Sequence, residues 1–215
     1  MPNDRLFEIL IRIIVVITAL PVHEFAHAFV AYKLGDNTAK YQGRLTLNPL
    51  SHLDPIGSIT TILFGFGWAK AVPVNPYMFK NRKLGMALVS LAGPLSNVLM
   101  ATAYMLIIKI LSVFGILLPG APFFQVLIIM ISVNLNLAVF NLLPIPPLDG
   151  SRIATLFLDE RTYFKIMHYE RYIFIALIVL MTTPIFDGVM GFFTDILWNA
   201  INFITSIVYV IAGVF

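Results

Sequence analysis

The 215-residue sequence contains no cysteine. Disulfides and thiolate metal sites are therefore both excluded, and any metal must be held by histidine and carboxylate. Charge is scarce as well. Only 12% of the residues are charged and 59% are hydrophobic, against about 25% charged in ordinary soluble domains. No stretch is polar enough for a separate soluble domain. The net charge of +3 is scattered among connecting segments, which excludes a nucleic-acid-binding patch. Internal repeats and low-complexity tracts are absent. What the chain has instead is a series of long apolar runs, so it reads as one polytopic α-helical membrane domain over residues 1–215.

The first of these runs carries the chemistry. Residues 21–28 read Pro-Val-His-Glu-Phe-Ala-His-Ala. His23 and His27 are four apart, which on a helix stacks both imidazoles on one face, where they can bind one zinc ion. Glu24 projects about 100° further round. From there it can reach a water activated by the metal and act as general base without being a ligand, which is the mechanical content of an H-E-x-x-H motif. The flanks, Ile13 to Leu20 and Phe25 to Ala31, are almost wholly apolar. Ionisable groups in such a helix are costly in lipid and mark a functional site. No small-residue cleavage site precedes the motif, so the run is expected to be a retained helix and not a cleaved signal.

Taken in order, a first helix is expected from about Asp4 to Leu34, stopped by Gly35 and kinked at Pro21. Thr38 to Leu47 shows β-like alternation around Gly43. Ile56 to Phe66 is apolar but too short to cross a bilayer, so it reads as re-entrant. Gly65 to Val74 reads as the edge of a small β-hairpin, confined there by Pro73 and Pro76. Further spans are expected over Gly85–Leu111, Phe123–Leu143 and the apolar material of Tyr172–Thr183 and Met190–Val214, for about five to six membrane helices. Lys33, Lys40, Arg44, Lys70, Lys80, Arg82 and Lys83 crowd the first connection, while Ser112 to Pro122 has no charge. The positive-inside rule puts the first connection, and the metal motif with it, toward the cytoplasm.

Catalytic zinc usually takes three protein ligands and keeps one open position. Asp149 is the favoured third ligand, because it follows a helix broken at Pro144-Ile-Pro-Pro147 at about the depth of the motif. His52 and Asp54 remain open as alternatives, and an Asp-Gly turn is the ordinary use of Asp149-Gly150. His168, beside Tyr169 and Glu170, reads as an interfacial histidine.

Three motifs in a set order, His23-Glu24-Phe25-Ala26-His27, Gly93-Pro94-Leu95-Ser96-Asn97 and Asn141-Leu-Leu-Pro-Ile-Pro-Pro-Leu-Asp149-Gly150, resemble the site-2 protease family of intramembrane zinc metalloproteases. The likeness is to the small type without PDZ or CBS domain. It covers a core of residues 4–152 and leaves the helices of 153–215 undiagnosed. It implies one zinc per chain held by His23, His27 and Asp149, with Glu24 as general base. It implies that Asn141 helps hold the substrate or its oxyanion, and gives Asn97 a place in the second core helix. The substrates it implies are transmembrane proteins cut in or near their membrane segments, and the location is a bilayer, the plasma membrane by expectation. A membrane metal transporter and an inert scaffold are the rival classes. The first predicts that Glu24→Gln abolishes metal flux, the second that it changes nothing.

Overall fold

Along the N-terminal helix α1 (Pro2–Lys33), the buried side chains Ile11, Val15, Ala19, His23, His27 and Ala31 fall at intervals of four. They form one ridge of the helix surface that packs into its neighbours. The two histidines are therefore two rungs of the packing face. The structure is a computed structural model and describes residues 2–64, 67–159, 162, 165–166 and 168–213. The helix continues through Pro21, which is fully buried. Gly35, at φ +104°, ends it. Asp36 then turns inward, fully buried, and accepts the Thr38 amide at 2.9 Å and the Asn75 amide at 2.6 Å.

The first connection holds two short helices, α2 (Thr38–Tyr41) and α3 (Pro55–Phe64). No β-hairpin is present among the described residues, and Gly65 and Phe66, where the expected edge begins, lie outside them. Residues 67–75 instead form an extended strap with one antiparallel bridge, Leu53 to Ala69. The β-like alternation of Thr38 to Leu47 is overridden, because the Asp36 carboxylate accepts the Thr38 amide and hydroxyl at the start of α2 and Gly43, at φ +67°, follows it. Pro73 and Pro76 also withhold the amides that a second strand would use. The re-entrant expectation becomes α3, 10 residues long, with Asp54 Oδ1 accepting the Gly57 amide at 2.8 Å.

The next helix, α4 (Arg82–Val113), starts with the Asn81 side chain accepting the Leu84 amide and exposes Leu84, Leu88, Leu91, Leu95 and Leu99 on one side. That stripe is suited to lipid. Its other side packs Ala101, Met105 and Ile108 against Leu127, Ile131 and Leu135 of α5 (Pro122–Leu142) and Ile201 of α8 (Pro184–Thr205). Such close van der Waals packing drives helix association in a bilayer. Asn136 adds a polar tie, its Oδ1 accepting from Thr194 Oγ1 at 3.3 Å.

After α5 come α6 (Asp149–Ala154), α7 (Glu170–Leu180) and, beyond α8, α9 (Ile207–Ala212). Among the described residues four segments are long and apolar enough to span: Ile9–Lys33, Arg82–Val113, Pro122–Leu142 and Pro184–Ala212. The count expected from sequence was higher because Tyr172–Thr183 was included. That run forms only the 11-residue α7, too short to cross.

Candidate metal centre

His23 and His27 stand 4.6 Å apart, ring centre to ring centre, at 84°. Two features of α4 seat them. A side chain at Gly93 would put its Cβ 2.4 Å from His27 Nε2 and 2.6 Å from His23 Cε1, so the rings lie directly on bare backbone. The Val89 carbonyl lies 2.7 Å from His27 Nδ1. That bond assigns the Nδ1 proton and leaves Nε2 with a free lone pair, the usual arrangement behind a metal-ligating histidine.

Asp149 is supplied by α6. Gly150 lets it come close, since a Cβ there would sit 2.2 Å from the Leu142 carbonyl oxygen and 2.4 Å from that of Leu143. The first turn of α6 is thus pressed against the end of α5. Asp149 Oδ2 lies 3.2 Å from His23 Nε2 and 3.2 Å from His27 Nε2.

These three donor groups fit a zinc ion. Two nitrogens and one oxygen, within 4.8 Å of one another and largely buried, are a catalytic-type set. Ligands about 2.1 Å from a tetrahedral ion lie about 3.4 Å apart, near the separations observed. The alternatives left open by sequence are committed elsewhere. His52 Nε2 is bonded to the Thr46 carbonyl at 2.7 Å, and Asp54 caps α3.

A cavity of about 500 Å³ opens in front of the cluster. Glu24, Asn141 and Arg152 lie on its wall among Leu137, Phe140 and Phe174. Glu24 Oε2 accepts the Val72 amide of the strap at 3.0 Å. Asn141 Nδ2 donates to the Leu137 carbonyl at 2.9 Å, leaving its second amide hydrogen. Asn97 is fully buried, has no hydrogen-bond partner among the described residues, and is not on the cavity wall.

The strap is held along one edge. The Lys70 amide donates to the His52 carbonyl at 2.8 Å, and the Arg44 guanidinium donates to the Lys70 carbonyl. Polar groups alternate sides along an extended chain. The Lys70 and Val72 amides therefore point to one side, and those of Ala69 and Ala71, both on the cavity wall, have no partner among the described residues. The Val89 carbonyl, the Val72 amide and Arg44 were not found by reading the sequence. The first two are backbone groups with no sequence signal. A glycine among bulky apolar residues, as at Gly93, does signal close approach.

Comparison with known proteins identifies the family. Residues 114–183 match the sequence profile of peptidase family M50. YwhC of Bacillus subtilis (strain 168) is 45% identical over 179 residues, 80% of each chain. Rip2 of Mycobacterium tuberculosis (strain H37Rv) is 31% identical over 190 residues, 85% of this chain and 70% of that one. MJ0611 of Methanocaldococcus jannaschii is 30% identical over 159 residues, 71% and 73% respectively. The names of all three assign them, provisionally, to the zinc metalloproteases. No solved structure matches significantly.

Proposed function

The chain belongs to peptidase family M50, the site-2 proteases, and on that premise we propose the division of labour by which it works as an intramembrane zinc metalloprotease. The observation that carries it is the convergence of His23, His27 and Asp149 beside Glu24 in one cavity. His23, His27 and Asp149 hold one zinc per chain. Zinc, when bound, supplies Lewis-acid polarisation of a scissile carbonyl and a nucleophile at neutral pH.

Glu24 Oε1 takes the proton of the attacking water, while Oε2 stays on the Val72 amide. The same carboxyl then delivers the proton to the leaving amine. Asn141 donates its second amide hydrogen to the developing oxyanion, a contact worth about 2.7–4 kcal/mol where such donors have been removed. Asn97 keeps its place in α4, fully buried, with neither atom of its side-chain amide bonded among the described residues. A substrate helix hides its carbonyls in its own hydrogen bonds, so it unwinds first. The strap's outer edge, with the Ala69 and Ala71 amides, receives it as an added strand.

The substrates are membrane proteins cut in or near their spans. The basic connection between α1 and α4 faces the cytoplasm, and with it the cavity. Residues 4–152 carry the site, and the helices of 153–215 brace it as part of the same domain. The transporter and scaffold readings draw no support from family or site. Co-expression with candidate single-span membrane proteins tests the proposal. A cleaved fragment should appear with the wild type and not with Glu24→Gln, and equal cleavage by both would remove Glu24 as the base.

A further inference from the structure

Of the seven basic residues in and beside the first connection, Arg44 is the one that is buried, at 5% exposure. Burying a guanidinium is costly unless its donors are used; Arg44 Nε has no partner among the described residues, so the hold of this side chain is through Nη2. Its own amide is anchored on the Ala39 carbonyl at 2.8 Å, and its Nη2 donates to the Lys70 carbonyl in the strap. Two residues on, the Val72 amide points the same way and meets Glu24 Oε2 at 3.0 Å. A path of three hydrogen bonds and one short piece of extended chain thus runs from α2 to the carboxylate. Burial pulls the Arg44 guanidinium below its ordinary pKa, and the Glu24 charge pulls it the other way, so the two side chains also feel each other directly.

We infer that Arg44 is a positioning residue for the general base: it grips the strap by the Lys70 carbonyl and so keeps the Val72 amide on Glu24. The inference rests on the reading of Glu24 given above. A substrate strand that adds to the outer edge of the strap pulls on it from the Ala69 and Ala71 side. Without the grip at Lys70, the same pull draws Val72 off the carboxylate at the moment the base is needed. A lysine would keep the charge, but as a point donor on a flexible stem and not as a planar fork.

The test is steady-state cleavage of a membrane-span substrate by the full zinc-loaded chain, wild type against Arg44→Ala and Arg44→Lys, with zinc content measured in parallel. Arg44→Ala should keep its zinc and a near-normal KM and lose about 100-fold in kcat, the scale of a misplaced catalytic group. Guanidinium ion added at millimolar concentration should restore part of that kcat, which no general loss of folding would allow. Wild-type kcat in Arg44→Ala, a change in KM alone, or loss of zinc would each overturn the inference. Should Arg44→Ala fail to fold, Arg44→Lys carries the test: reduced kcat at normal KM and zinc supports it, and wild-type kcat overturns it. Failure of the underlying reading looks different, since there Glu24→Gln would cleave as well as wild type.

Discussion

Gly93 of α4 lies so close to His27 of α1 that a methyl group on its Cα would stand 2.4 Å from the ligand nitrogen Nε2. Two helices that supply different parts of the site are thereby set at backbone contact. Gly93→Ala must push both rings away from Asp149, so zinc content should fall sharply. Gly191→Ala in α8, with nothing within 4 Å of its added carbon, is the control. It should keep its zinc and gain helix stability of up to about 1 kcal/mol. Equal zinc in both variants, measured by atomic absorption, would disconnect Gly93 from the metal site.

Removal of single donors gives a second expectation. His23→Ala, His27→Ala and Asp149→Ala should each lower zinc bound per chain, because each leaves two protein ligands where a catalytic site uses three. Glu24→Gln should keep its zinc and lose cleavage. Full zinc retention in Asp149→Ala would take Asp149 out of the ligand set.

The strap offers a third. Proline at Ala69 or Ala71 deletes an amide on the outer edge. Both variants should keep zinc and lose most cleavage, because the two amides face the same side. Proline at Lys70 deletes the bond to His52 and should also lower thermal stability, by about 1 kcal/mol or more for the lost bond. Wild-type cleavage by both Ala69→Pro and Ala71→Pro would show that substrate does not pair there.

Orientation can be read with reporter fusions. Fusions between Asp36 and Arg82 should report the cytoplasm, and fusions near Gly120 the opposite side. A reversed pattern would turn the cavity to the outer face.

How far the sequence carried the structure depends on the kind of interaction. The histidine pair was legible because helical spacing alone puts residues 23 and 27 together. Asp149 was legible only as a preference, because its approach depends on Gly150 lying against the last carbonyls of α5, a tertiary contact. The Val89 and Val72 backbone groups left no trace, since any residue would supply them. The strand expectation for Thr38 to Leu47 failed where local rules compete. Alternation over Thr38 to Leu47 favoured a strand, but the buried Asp36 closes a turn onto Thr38 and starts a helix instead. The surplus span failed on length. Hydropathy marks Tyr172 to Thr183 as membrane material, but the helix described there, α7, has 11 residues and ends before Pro184 opens α8.

Asp36 has a mechanical consequence. It pins Asn75 at one end of the strap, while His52 and Arg44 pin Lys70 five residues earlier. A short beam clamped at both supports bows little and does not swing. The strap is therefore a fixed rail and not a door. If the strap stays fixed, a membrane segment has to enter the cavity elsewhere, and Phe174 of the short α7 is among its lining residues. Paired cysteines introduced to staple α7 to α5, in a chain with no cysteine of its own, should halt turnover reversibly, whereas a staple across the strap should leave it running.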